Sequence, residues 1–261
     1  MLLQGKNAII YGAGGSIGSA IAMTFAREGA RLFLVGRTRA SLDAVAADIA
    51  VAGGKAEVAV FDALDENAVD EHARSVDAAG GIDVSLNLVN GGDIQGVPLI
   101  DMSVADFTRP VVTRLTANFI TARAAGRHMG ERGRGVILAL DSGSAHGSTM
   151  MGGTGPADAA TDVLVRNLAQ ELGPRGVRVL GIWTAGLPET LSPEKIAAHS
   201  KAPAMDDAAF QGLLGQLDQM RMTRRSPRLA EIAATAAFLA SDHAAAITGT
   251  FINATSGIFA S

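Results

Sequence analysis

Short apolar runs alternate along the chain with longer segments in which apolar residues recur every three or four positions. Residues 7–11 form a β-rich run that ends in a glycine-rich turn. Ile17, Ile21 and Phe25 then repeat at helical spacing over 16–28, and Gly29 stands where a helix C-cap belongs. The same alternation predicts further strands over 31–35, 57–61, 83–89, 135–140, 177–183 and 250–253. Further helices are predicted over 41–52, 65–79, 104–131, 157–172 and 231–240, with a candidate break at Pro110.

Strands separated by helices imply parallel strand–helix–strand units. Right-handed crossovers wind seven such strands into one doubly wound α/β sheet with helices on both faces, a single domain over 1–261. The one linker-like stretch, 187–228, contains Pro188, Pro193, Pro203 and Pro227 with charges of both signs. It is read as a mobile insertion within that domain.

Composition narrows the chemistry. A chain of 261 residues with 48% hydrophobic residues can bury one sizeable core. The absence of cysteine excludes a disulfide framework and a zinc–thiolate site, and no spacing of histidines suggests a metal. A net charge of -4 gives no sign of a nucleic-acid or membrane-surface partner. No apolar stretch reaches the roughly 18 residues of a membrane span. The first residues lack a basic stretch followed by a long apolar run, so a soluble cytoplasmic protein is expected.

The turn after the first strand reads Gly12-Ala-Gly-Gly-Ser-Ile-Gly18. Glycines there let a pyrophosphate approach the backbone, and the helix that follows offers free N–H groups and the positive end of its dipole. Gly12, Gly14, Ser16, Ile17 and Gly18 are therefore candidate cofactor contacts; the bland alternative is a tight turn without a ligand. The second strand ends in Val35-Gly36-Arg37-Thr38-Arg39, with no acid to accept from the two ribose hydroxyls of NAD. Guanidiniums suit a 2′-phosphate, so NADP(H) is the expected cofactor, unless Arg37 and Arg39 are solvated charges at a helix start.

With these motifs the sequence resembles the short-chain dehydrogenase/reductase family over nearly its whole length. The glycine turn is similar to the family's T-G-x-x-x-G-x-G, with Tyr11 for Thr and Ser16 for the middle Gly. The segment from Leu168 to Val179, with Phe238-Leu-Ala-Ser-Asp242 and Ile247-Thr-Gly249, resembles later family signatures. The resemblance implies the Rossmann fold, Asp62 against adenine, and Val89 and Asn90 in a partial N-N-A-G motif. It also implies Gly186 and Thr190 at the nicotinamide end. Oxidoreductase activity and a homo-oligomer, tetramer or dimer, formed through the helices at 104–131 and 157–172, are further implications.

The family's catalytic residues are Ser, Tyr and Lys, usually with an Asn. Ser142 matches the serine, with Ser144 close by. Thr154 falls at the tyrosine position and Asp158 at the lysine position, and Arg114 or Thr113 falls near the Asn. The one tyrosine is Tyr11 and the lysines are Lys6, Lys55, Lys195 and Lys201, so no Tyr-x-x-x-Lys exists. An Asp in place of Lys reverses the local charge and raises the pKa of a nearby acid.

Candidate replacements each carry a plainer reading. Asp158 follows Gly155-Pro156 and suits a helix start. Thr154 suits an N-cap. His146 is an imidazole fit for acid–base work after the fifth strand, or a solvated loop residue. Asp141 could orient His146 or cap the loop. The loop Gly147-Ser-Thr-Met-Met-Gly-Gly-Thr-Gly155 offers Met150 and Met151 to a small, partly apolar substrate or to a subunit interface. The expected function is an NADP(H)-dependent oxidoreductase acting on a carbonyl/alcohol pair or activated double bond, with Ser142 on the substrate oxygen and His146 or water supplying the proton. The alternatives are a non-redox cyclase, dehydratase or isomerase on the same scaffold, and an inactive NADP(H)-binding partner or regulatory protein.

Overall fold

The computed structural model describes residues 1–199 and 205–260. Its strands are β1 (Asn7–Tyr11), β2 (Arg31–Gly36), β3 (Lys55–Val60), β4 (Val84–Asn87), β5 (Gly135–Asp141), β6 (Val177–Trp183) and β7 (Phe251–Asn253). All pair in parallel, in the order β3-β2-β1-β4-β5-β6-β7.

Period-two alternation sends successive strand residues to opposite faces. Ala8 and Ile10 join one core with Leu32, Leu34, Leu86 and Leu138. That core is covered by α1 (Ser16–Arg27), α2 (Arg39–Val51) and α8 (Leu229–Ala240), through Ile21, Phe25, Leu42, Ile49 and Leu239. Ile9 and Tyr11 join the other core with Phe33, Val35, Ile137 and Trp183. There the cover is α3 (Glu66–Ala78), α4 (Val104–Arg132) and α5 (Thr154–Leu172), through Val69, Ile120, Met129 and Val165.

Three expectations change. Pro110 does not break α4, which runs unbroken through it. The proline removes one backbone donor near the helix start, and its ring is buried against the α4–α5 contact. α5 begins at Thr154, one turn earlier than expected, with Gly153 as its N-cap residue. A Cβ on Gly153 would overlap Phe107 O and crowd Pro110 Cγ, so only glycine lets α5 start this close to α4. Finally, 187–228 carries α6 (Pro193–His199) and α7 (Asp207–Gln219) instead of irregular chain. Positions 200–204 of that stretch, Pro203 among them, lie outside the described residues.

The glycine turn is fixed by close packing. Gly12 has φ +80, and a Cβ there would lie 2.8 Å from Leu88 O on the neighbouring strand end. A Cβ on Gly18 would overlap Gly12 O, which sets how tightly α1 sits on the turn. Gly18→Val should lower stability by about 1–3 kcal/mol through this overlap. Urea denaturation checks it; an unchanged midpoint would show that turn and helix separate freely.

Candidate active site

Six strand ends meet at the carboxyl edge of the sheet. Gly12 follows β1, Arg37 follows β2, Asp62 follows β3, Val89 follows β4, Ser142 follows β5 and Gly186 follows β6. The N-cap of α1 is Gly15, with no side-chain cap, and the first-turn amides of Ser16, Ile17 and Gly18 have no intrahelical partners. A Cβ on Gly14 would overlap the Ser41 hydroxyl. The turn is thus a backbone cradle in which the Gly12, Ala13 and Gly15 amides are bonded within the protein and the first-turn amides of α1 are open.

Beside it, Arg37 has a side chain 79% exposed, 3.8 Å from Asp62. Arg39 is turned away, bonded to Asp43 one helical turn on at 2.9 and 3.0 Å. Asp62 also accepts from Leu64 N at 3.0 Å. Asn87 Oδ1 caps Val89 N at 2.9 Å, and Asn90 Oδ1 accepts from Gly92 N at 2.8 Å. Thr190 spends its hydroxyl on Leu187 O at 2.8 Å, and Gly186 sits at φ +56 under the buried Arg221.

Farther along that edge, α4, α5 and the loops after β4 and β5 meet in one polar network. Arg114 Nη1 donates to Asp158 Oδ1 and Arg114 Nη2 to Asp93 Oδ2, both at 2.7 Å. Thr154 Oγ1 donates to Asp93 Oδ1 at 2.9 Å. Asp158 Oδ2 accepts from Ser142 Oγ at 2.6 Å, Ser144 N at 2.9 Å and Ser142 N at 3.3 Å. The Ser142 and Ser144 hydroxyls lie 2.7 Å apart. Gly91 makes room for this: a Cβ there would stand 2.8 Å from Arg114 Nε.

The network joins three sequence-predicted residues, Ser142, Thr154 and Asp158. Thr154 is the first residue of α5, not its N-cap, and its hydroxyl serves Asp93. Asp158 is 0% exposed in the second turn and tied to Arg114, so it does more than mark a helix start. Its reversed charge meets a guanidinium that comes from α4. Arg114 and Asp93 were not among the expected site residues. The signals were the Gly91-Gly92 pair before Asp93 and an arginine near the place of the family's helix Asn.

His146 is exposed and sits outside the network. Its ring stacks on Phe259 at 4.3 Å and meets Trp183 edge-on at 4.7 Å, and no hydrogen bond joins its nitrogens to Ser142 or Asp141 among the described residues. Tyr11 is buried in the core, its hydroxyl unbonded and its pKa raised by burial, so it supplies no acid here. Of the two roles considered for Asp141, it takes the loop cap, accepting from Gly143 N at 2.9 Å.

Two further carboxyls lie beneath the network. Asp141 Oδ2 is buried with no donor aimed at it, and its carboxyl contacts that of Asp162, which accepts from Trp183 Nε1 at 3.2 Å. Carboxyls in contact bond only when one holds a proton. Burial, and next the charge of Asp158, push Asp141 up to about 9, against the pull of the Gly143 amide. Asp158 is raised by burial and drawn back by Arg114 and by Ser142 and Ser144; Asp162 is raised by burial and drawn back by Trp183.

A pH prediction follows from Asp141. The folded state keeps this proton where the unfolded chain has lost it, so its stabilisation is full below about pH 4 and is lost as pH rises toward 9. Asp141→Asn keeps a donor toward Asp162 and cannot ionise. Its urea midpoint should fall less than the parent's between about pH 5 and 9. Equal slopes would show that Asp141 is already ionised at neutral pH.

The family described as "Enoyl-(Acyl carrier protein) reductase" matches residues 12–258. The chain is 32% identical to L-rhamnose 1-dehydrogenase (NAD(P)(+)) of Azotobacter vinelandii, covering 99% of this chain and 98% of that one. It is 30% identical to 7alpha-hydroxysteroid dehydrogenase of Escherichia coli, covering 98% and 94%. A solved 7α-hydroxysteroid dehydrogenase, complexed with NADH and 7-oxo glycochenodeoxycholic acid, superposes with a TM-score of 0.83 at 29% identity, covering 98% and 94%. NAD+-bound xylitol dehydrogenase superposes with a TM-score of 0.86 at 26% identity, covering 98% and 100%. With the parallel sheet and the glycine turn in place, these likenesses assign the chain to the short-chain dehydrogenase/reductase family of oxidoreductases.

Proposed function

We propose that the chain is an NADP(H)-dependent oxidoreductase acting on the carbonyl/alcohol pair of a small, partly apolar substrate. The observation that carries this reading is the open glycine cradle with exposed Arg37 beside it. A pyrophosphate would lie against the first-turn amides of α1, on a turn whose Gly12, Gly14 and Gly18 pack too closely on Leu88, Ser41 and the turn's own backbone to take a side chain. Arg37 is free to turn from Asp62 toward a 2′-phosphate, while Asp62 and Val89 flank the adenosine side. Gly186 and Thr190 stand toward the nicotinamide end. Bound there, the dinucleotide accepts or gives a hydride.

The chain's own residues handle the rest. Ser142 holds the substrate oxygen, and the Asp93–Arg114–Asp158 bridge fixes Ser142 from behind. No phenol and lysine stand four residues apart, so the proton moves without them. His146 or water at the rim exchanges it with solvent. Met150, 46% exposed, and Met151 supply the apolar wall; the Met150 carbonyl is tied to Gly96 N at 2.8 Å. Exposed Val112 and Phe119 on α4 and Val163 on α5 are the surfaces for a dimer or tetramer.

The network also favours a second reading. Thr154 and Asp158 are fully engaged with Asp93, Arg114 and Ser142, which suits a protein that binds NADP(H) and regulates a partner without turnover. The two separate on a panel of ketones and secondary alcohols, with absorbance of the reduced nicotinamide as readout. Tight NADPH binding with no turnover across the panel favours the second. For the cofactor itself, Arg37→Ala should weaken NADPH about 10- to 100-fold, by loss of a charge-assisted bond, and NADH little. Equal loss for both, measured by fluorescence titration, removes the 2′-phosphate assignment.

A further inference from the structure

We propose that the site is arranged to oxidise an alcohol, with Asp158 as the acceptor of the alcohol's proton through the Ser142 hydroxyl. The proposal rests on the oxidoreductase reading above and concerns the direction and the proton route of that same site.

The protons around Ser142 can be counted. Ser142 Oγ has one proton, and Asp158 Oδ2 at 2.6 Å, as a carboxylate oxygen, only accepts. Ser142 is therefore the donor in that bond. Ser144 Oγ, 2.7 Å away, must then donate to Ser142 Oγ. Ser142 is left with one open lone pair and no free proton. It can accept from an alcohol O–H, and it can donate to a carbonyl only after Asp158 has itself gained a proton.

The surroundings of Asp158 suit a group that gains and loses one proton. Arg114 faces its Oδ1 from α4, with Asp93 and Thr154 behind that guanidinium. Asp141 faces it from the end of β5, the Ser142 and Ser144 amides from the turn, and Asp162 lies one turn along α5. Arg114 bonds the Oδ1 of Asp158, so a proton gained on Oδ2 leaves that bond in place. Burial raises Asp158 in the same sense.

In the forward step the carbinol carbon gives up hydride to oxidised nicotinamide as its C–O bond becomes C=O. The alcohol proton passes to Ser142 Oγ, and the proton already on Ser142 passes to Asp158 Oδ2. The reverse step needs Asp158 protonated at the start. Oxidation should therefore strengthen as pH rises through the titration of Asp158, and reduction should weaken.

The test uses the full chain, its Asp158→Asn variant, and Ser142→Ala as a variant that leaves the Arg114–Asp158 pair intact. Infrared difference spectra between about pH 5 and 9, without cofactor, read carboxyl protonation directly. In the Asp141→Asn background, which removes the other carboxyl raised into this range, a carboxylic C=O band should titrate, vanish when Asp158→Asn is added and shift when Ser142→Ala is added. With NADP+ and a panel of secondary alcohols such as 2-butanol, cyclohexanol and xylitol, both variants should lose about 10²- to 10⁴-fold in kcat. Asp158→Asn should also lose the rise with pH, while NADP+ affinity holds in both. A titration band unchanged by Asp158→Asn in that Asp141→Asn background overturns the relay. So does ketone reduction at a rate that exceeds alcohol oxidation at every pH, which leaves the oxidoreductase reading standing. Failure of NADP(H) to bind overturns that reading itself.

Discussion

One guanidinium holding two buried carboxylates is the contact on which the site depends. Arg114 reaches from α4 to Asp93 in the loop after β4 and to Asp158 on α5. Breaking a buried pair by removing one partner costs about 3–5 kcal/mol, because a charge is left uncompensated. Here the loss would reach two carboxylates at once. The geometry that permits the bridge is equally specific. α4 has to run through Pro110 without a break, Gly91 has to leave space beside Arg114 Nε, and Gly153 has to let α5 begin against α4.

Through that bridge the two halves of the sheet's carboxyl edge have opposite characters. The β1–β2–β3 half offers backbone amides, positive φ at Gly12 and an exposed guanidinium at Arg37, the surface proposed above to take the cofactor's phosphates. The β4–β5–β6 half gathers buried acids, Asp93, Asp141, Asp158 and Asp162, with Arg114 bridging Asp93 and Asp158 and the Ser142 and Ser144 hydroxyls beside them. Burial raises the pKa of Asp141, Asp158 and Asp162 alike, and the position of Asp141 beneath Asp158 follows from β5 ending one residue before Ser142.

Most of the scaffold was legible in the sequence, because buried parallel strands and amphipathic helices leave plain periodicities. β1 and β6 match the expected ranges, and β2 and β5 each run one residue further. β4 stops at Asn87, where the chain turns to cap Val89 N, although the apolar run continues to Val89. α6 and α7 were hidden by the prolines around them, since Pro193 opens a helix as readily as it ends one. The cofactor turn and Ser142 could be read as motifs. The bridge could not, because it joins residues 93, 114 and 158, which only the fold brings together. An acid at position 158 looked like a charge reversal while its arginine lay 44 residues away.

Arg114 and Asp158 act as one unit. A double-mutant cycle on Arg114→Met and Asp158→Asn, read by urea denaturation at neutral pH, measures this directly. The double variant should be less destabilised than the sum of the singles, with a coupling of about 1–3 kcal/mol. Additivity to within about 0.5 kcal/mol would contradict it.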